Sequence, residues 1–298
     1  MHSIFSFFCS CFFSLFFSLS AAAQIQAADF NTTCAKFSAP LTGGYCVHVP
    51  SSHRSRDIVY HLHGSGGSEA DFQDPWYYTG QIRAEWKKTG QRLPTVVSIS
   101  FGSFWLLAEK NASPYSGMFE LLTQQVIPSI EAGLGGLRGK RIVFGESMGG
   151  FNTAQLALKT KLFSRAAILC APMSEVSPYA DLGTIKAHLE KSAAHQYWRK
   201  RDPDAVFNTM KEVITLVQTF FPTEQDYVSA NPLVLASNSR SRTHLYVTAG
   251  FHDVYALYEG NEKFSGILRA SHRRVEWRPQ WGGHCVMDIP SLARFLVD

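Results

Sequence analysis

Short, nearly uninterrupted apolar runs alternate with segments of helical period along most of this 298-residue chain. That alternation restricts the fold more than any other feature. Thr95–Ser100 (TVVSIS) and Arg165–Cys170 (RAAILC) are apolar at consecutive positions, the pattern of strands covered on both faces. Tyr45–Val49, Asp57–Leu62, Arg141–Phe144, His244–Thr248 and Arg274–Arg278 also read as strands. Between them, Gly117–Ala132 carries Met118, Leu121, Leu122, Val126 and Ile130 at three-to-four spacing, and Asn152–Lys161 and Asn261–Ala270 have helical patterns of their own. Strands and helices in this order predict an α/β fold with a mainly parallel central sheet flanked by helices. Residues 173–242 break the rhythm. They are mostly helical in pattern, rich in aromatic residues and without a clear strand, and read as a cap-like insertion within one domain over 24–298.

The N-terminal 23 residues are set apart by composition. They contain no acidic residue, Lys or Arg, run apolar from Ile4 to Leu19, and end in small residues with Ala21 and Ala23 in an A-x-A pattern. This reads as a secretory signal over 1–23, because the run is too short for a span of about 20 residues. A secreted or periplasmic protein without a stable membrane span is the expectation. Cys34 and Cys46 flank a turn-rich stretch and are expected to form a disulfide in an oxidising compartment, whereas Cys170 and Cys285 are expected to be free thiols. The formal charge of +4 comes without Lys/Arg blocks beyond Arg199–Arg201, which argues against a nucleic-acid partner.

One strand-to-helix corner is unusually rich in glycine. Gly145-Glu-Ser147-Met-Gly149-Gly150 follows an apolar run and precedes a helical one. Glycine in a regular element costs about 0.5–1 kcal/mol relative to alanine, so this corner must need the space. G-x-S-x-G in this setting lifts a serine Oγ clear of the sheet's C-terminal edge on a sharp turn, at the head of a helix whose N–H groups are unpaired. A serine nucleophile needs a base, and the base an orienting acid. Asp253 follows the strand of THLYVTAGFHD, and His284 follows the strand of EWRPQWGGH, both at C-terminal strand ends. Asp226 and Asp288 are rival acids, and His244, His252 and His272 rival bases. The remaining need is for oxyanion donors. The loop His63-Gly64-Ser65-Gly66-Gly67 offers the Ser65 amide to join that of Met148.

Other chemistries fit less well. The His63–Glu69 loop lacks the third glycine of a dinucleotide fingerprint and the G-K-[ST] of a phosphate loop. His61 and His63 share one face of a strand and could start a metal site, but that would leave the serine motif idle. No metal or organic cofactor is called for. Trp76, Tyr77, Phe104 and Trp105 lie on loops after strands and are candidate walls for a substrate.

The segments YHLHGSGGSE, FGESMGGFNTAQLALK, TAGFHDVYALYEGNEKF and WGGHCVMDIPSLARFL together resemble the esterase branch of the α/β-hydrolases. That branch includes esterase D (S-formylglutathione hydrolase), feruloyl esterases and the antigen 85 mycolyltransferases. The resemblance runs from about Gly44 to the C-terminus and is weakest over 173–242. It implies an α/β-hydrolase sheet and a triad of Ser147, Asp253 and His284, and it puts Ser65 where the esterase D loop donor sits. The export signal and the H-G-S-G-G loop are closer to exported esterases than to cytosolic esterase D. The expected function is hydrolysis of a small-molecule or carbohydrate-linked carboxylic ester through an acyl-serine. Acyl transfer to an alcohol, peptide hydrolysis and a non-catalytic binding role are the alternatives.

Overall fold

The computed structural model describes residues 30–38 and 40–298, so the expected signal over 1–23 lies outside the described residues. In chain order the elements are β1 (Phe30–Phe37), β2 (Gly43–Pro50), β3 (Arg54–Leu62), α1 (Tyr78–Thr89), β4 (Leu93–Ser100), α2 (Met118–Leu121), α3 (Ile127–Gly133), β5 (Arg141–Glu146), α4 (Met148–Lys159) and β6 (Arg165–Leu169). Five helices follow: α5 (Leu182–Leu189), α6 (Ala193–Trp198), α7 (Ala205–Phe220), α8 (Glu224–Ala230) and α9 (Pro232–Asn238). The chain then completes β7 (His244–Thr248), α10 (Tyr258–Ala270), β8 (Val275–Trp277) and α11 (Ile289–Phe295).

The eight strands form one sheet in the order β1-β2-β4-β3-β5-β6-β7-β8. Pairing is antiparallel from β1 through β2 to β4 and parallel from there to β8. The six strands from β4 to β8 in this order run parallel and therefore end at the same rim. Their side chains alternate between two cores, as a period of two requires. Tyr60, Val143, Ile168 and Val247 join one cluster with α4, α9 and α10. Val59, Phe144, Leu169 and Tyr246 join the other, with Trp86 of α1 and Leu292 of α11. Strands covered on both faces are what the continuous apolar runs encode.

Two departures from the sequence reading have simple causes. β1 was not expected, because FNTTCAKF is largely polar and sits at the sheet edge, where only one ladder is needed. Its partner strand and a Cys34–Cys46 disulfide between directly opposed residues hold it. The helix expected over 117–132 is present, but a π-turn over Leu122–Val126 separates α2 from α3. Pro128, in the first turn of α3, has no N–H to return to the carbonyl four residues back.

The helical excursion after β6 divides in two. α8 and α9 place Tyr227, Ala230, Leu233 and Ala236 in the sheet core. α5 to α7 build a separate apolar cluster from Ile185, Leu189, Ala194, Val206 and Ile214. Among the described residues no helix is long and apolar enough to cross a membrane.

Candidate active site

The turn from β5 to α4 has the geometry that its glycines suggest. Ser147 has φ 51° and ψ −116°, a conformation that L-residues avoid unless their surroundings enforce it. A Cβ on Gly149 would lie 1.9 Å from the Leu62 carbonyl oxygen, and one on Gly145 would lie 2.6 Å from the Gly149 backbone. The helix can fold back over the sheet only because both side chains are absent. The Ser147 N–H donates to the Leu169 carbonyl at 2.8 Å, fixing the turn to the end of β6.

His284 and Asp253 come together at the same rim. Asp253 is fully buried; His284 Nδ1–H donates to Asp253 Oδ2 at 2.8 Å, and Asp253 Oδ1 accepts the Tyr255 N–H at 3.0 Å. The carboxylate only accepts, so the proton sits on Nδ1 and Nε2 is left as the basic nitrogen. Among the described residues Ser147 Oγ makes no hydrogen bond, and His284 Nε2 lies 3.4 Å from Cys285 Sγ.

The two expected donors are open. Met148 is the first residue of α4, and neither its N–H nor that of Ser65 meets an acceptor among the described residues. Ser65, Ser147 and Met148 all border one cavity of about 360 Å³. The flanking amides are committed elsewhere: Gly66 N–H to Ser103 O at 2.7 Å and Gly67 N–H to Gly64 O at 3.1 Å.

The rival residues have structural work. Asp226 forms the capping box of α8 with Thr223, and Asp288 caps α11 through Ser291. His244 pairs with Glu276 at 3.1 Å, His272 turns the chain after α10, and His252 stacks on Tyr197 at 3.9 Å. His61 and His63 are buried with both ring nitrogens engaged, the first by Ser98 and Tyr78, the second by Gly64, Ser100 and Trp105. Of the four aromatic wall candidates, Phe104 borders the cavity, Trp105 is wholly buried, Trp76 is 90% exposed, and Tyr77 is bound to Glu146.

Two features of the site were missed. Glu146, the residue before the serine, is buried and accepts from Gly64 N–H, Tyr77 and Tyr78, with His61 Nε2 3.6 Å away. Burial alone would raise its carboxyl; the hydrogen bonds and charge of His61, with those of the two tyrosines, outweigh it and hold the pKa below the usual value. The x of G-x-S-x-G thus carries an acceptor for the main chain beside Ser65. An acidic residue between glycine and serine was the available signal, overlooked because its partners lie 82 and about 70 residues away.

The second correction concerns the remaining cysteines. Cys170 and Cys285, expected to be free, form a disulfide. They close the ends of β6 and of the His284 loop, which only the folded sheet brings side by side.

An eight-stranded, mostly parallel sheet with a serine on a strained strand-to-helix turn defines the α/β-hydrolase class. A family model for serine aminopeptidase, S33 matches residues 123–282, more than half of the chain, and the protein belongs to this family. No curated protein matches the sequence. The fold is similar to that of a ferulic acid esterase (TM-score 0.55, 15% identity, 90% of this chain and 96% of that one). It is also similar to an S-formylglutathione hydrolase from Agrobacterium tumefaciens (0.60, 15%, 91% and 95%). A hyperthermophilic esterase from the archaeon Pyrobaculum calidifontis is a third likeness (0.61, 14%, 92% and 87%).

Proposed function

We propose that this protein is an exported serine esterase, acting through an acyl-enzyme on Ser147. The observation that carries the reading is the buried Asp253 carboxylate holding His284 by Nδ1–H at 2.8 Å, at the rim where Ser147 stands on its strained turn. Nε2 of His284 takes the Ser147 hydroxyl proton as Oγ attacks the acyl carbon, and Asp253 stabilises the imidazolium. The carbonyl oxygen becomes an oxyanion facing the open amides of Ser65 and Met148. His284 then protonates the departing alcohol, takes a proton from water as the water oxygen attacks the acyl carbon, and returns that proton to Ser147 Oγ as the acyl–oxygen bond breaks and the acid leaves. The Oγ–Nε2 hydrogen bond forms on substrate binding, as catalytic contacts commonly tighten in the loaded enzyme.

Ester rather than peptide cleavage is supported by the cavity. An aminopeptidase must bind a free ammonium, and two of the three carboxylates bordering the cavity, Glu175 and Glu212, lie at its exposed margin rather than in its apolar interior. Glu175 is paired with Lys263, Glu212 is exposed, and Glu259 accepts the Ala193 N–H with one oxygen while the other is buried without a partner among the described residues, so the anilide arm of the test below decides whether Glu259 receives an ammonium. Export is supported by the leader-like N-terminus and by two disulfides, which belong to oxidising compartments.

The test is a fluorophosphonate probe with Ser147→Ala as control, followed by p-nitrophenyl esters, aminoacyl p-nitroanilides and an added alcohol acceptor. Labelling that depends on Ser147 and release of free acid support the reading. Turnover of anilides alone makes the protein a peptidase, transfer to the alcohol makes it an acyltransferase, and absence of labelling makes it non-catalytic.

A further inference from the structure

We infer that the cavity beside Ser147 is the acyl site, and that the acyl group is a flexible aliphatic chain of about a dozen heavy atoms. This rests on the esterase reading and deepens it.

The direction follows from proton transfer. The leaving alcohol must lie against His284, which gives it a proton, and the acyl carbonyl oxygen must lie against the amides of Ser65 and Met148. The cavity is bordered by Ser65, Ser147 and Met148 but by neither His284 nor Asp253. The His284 side chain instead lies open, at 29% exposure, with its ring 4.5 Å from that of Tyr255. The acyl half therefore enters the cavity, and the alcohol half faces solvent.

The character of the chain follows from the walls. Phe151 and Met173 line the sheet side, and Ile185, Leu189 and Ile214 line the side built by α5 and α7. These last three belong to the apolar cluster that is separate from the sheet cores, so the helical excursion owes part of its packing to this wall. Of the two buried hydroxyl residues, Ser192 is tied into the start of α6, and only the Tyr227 hydroxyl makes no hydrogen bond among the described residues. An acyl group with several polar substituents would leave them unpaired. Charged residues such as Lys191 and Glu212 border the cavity from exposed positions. At roughly 30 Å³ per heavy atom, the volume of about 360 Å³ accommodates a chain of about a dozen.

The experiment measures kcat/KM of the full protein for p-nitrophenyl esters from acetate to palmitate, beside methyl ferulate. The expected profile climbs by up to about fourfold per methylene and levels off near ten to twelve carbons. Methyl, butyl and hexyl decanoates should differ by no more than a few-fold, because the alcohol is in the open. Ile214→Trp should lower the decanoate-to-acetate ratio at least tenfold, and Met210→Trp gives a second, less buried obstruction should the first variant fail to fold. A flat profile with acetate readily cleaved overturns the inference and leaves the esterase reading intact, as does a tenfold preference for ferulate over decanoate. Failure to cleave any ester, with no labelling of Ser147, overturns both.

Discussion

Cys170 and Cys285, 115 residues apart in the chain, are joined by a disulfide that connects the His284 loop to the serine turn. Leu169, whose carbonyl accepts the Ser147 N–H, precedes Cys170; His284 precedes Cys285. The covalent path from Ser147's backbone partner to the imidazole is therefore only a few residues long. Both cysteines have positive φ, 44° and 54°, so each closes a tight turn at the rim. Replacing both by alanine should lower stability by about 3–5 kcal/mol, read as a drop in Tm. It should also lower kcat about tenfold with little change in KM, because the base is less well held. Unchanged kcat would show that Asp253 positions His284 unaided.

Ser147→Ala and His284→Ala should each lower kcat by at least about 10³-fold, and Asp253→Asn by a similar factor, since the amide would favour the wrong imidazole tautomer. Steady-state kinetics on one activated ester checks all three. Combining any two should add little, because the groups act as one unit. Additive losses would mean that one of them serves another purpose.

Glu146→Gln tests the carboxylate beneath the Ser65 loop. The amide keeps the size but presents one strong acceptor instead of two to Gly64 N–H and the tyrosines. We expect kcat to fall about 10–100-fold with KM nearly constant, less than the 10²–10³ typical for deleting an oxyanion donor outright. A rise in KM with kcat preserved would assign Glu146 to substrate binding instead.

Gly149→Ala should fail to fold or lose more than about 3 kcal/mol. Its Cβ would overlap the Leu62 carbonyl oxygen, a backbone atom that cannot turn aside. Circular dichroism on heating distinguishes this from Gly266→Ala, where a Cβ meets nothing and a small gain is expected.

His48 provides a pH response away from the site. Burial, then the charges of His61 and Arg83, lower its pKa from 6.5 to about 3. The unfolded chain therefore takes up a proton below pH 6.5 that the folded chain does not, until about pH 3. Stability is complete above pH 6.5 and falls as pH drops through that window, by up to about 1.4 kcal/mol per pH unit. His63, whose pKa burial also lowers, acts in the same direction. Denaturant melts between pH 7 and 4 should show this slope, and His48→Leu should reduce it; an equal slope in the variant would place the titration elsewhere.

Sequence alone determined what local physics governs. Continuous apolar runs encode strands covered on both faces, and Gly145 and Gly149 mark a corner that a Cβ would block. The meeting of Asp253 and His284 could be anticipated because each follows a strand, and parallel strands deliver their ends to one rim. Tertiary structure decided what depends on distant segments meeting. β1 is set by its neighbour and a disulfide rather than by its own polar sequence. Glu146 reaches its partners, and Cys170 reaches Cys285, only across strands that the chain visits far apart. The cavity belongs to the same class, since its walls come from β5–α4 on one side and α5–α7 on the other, and no local pattern encodes the space between them.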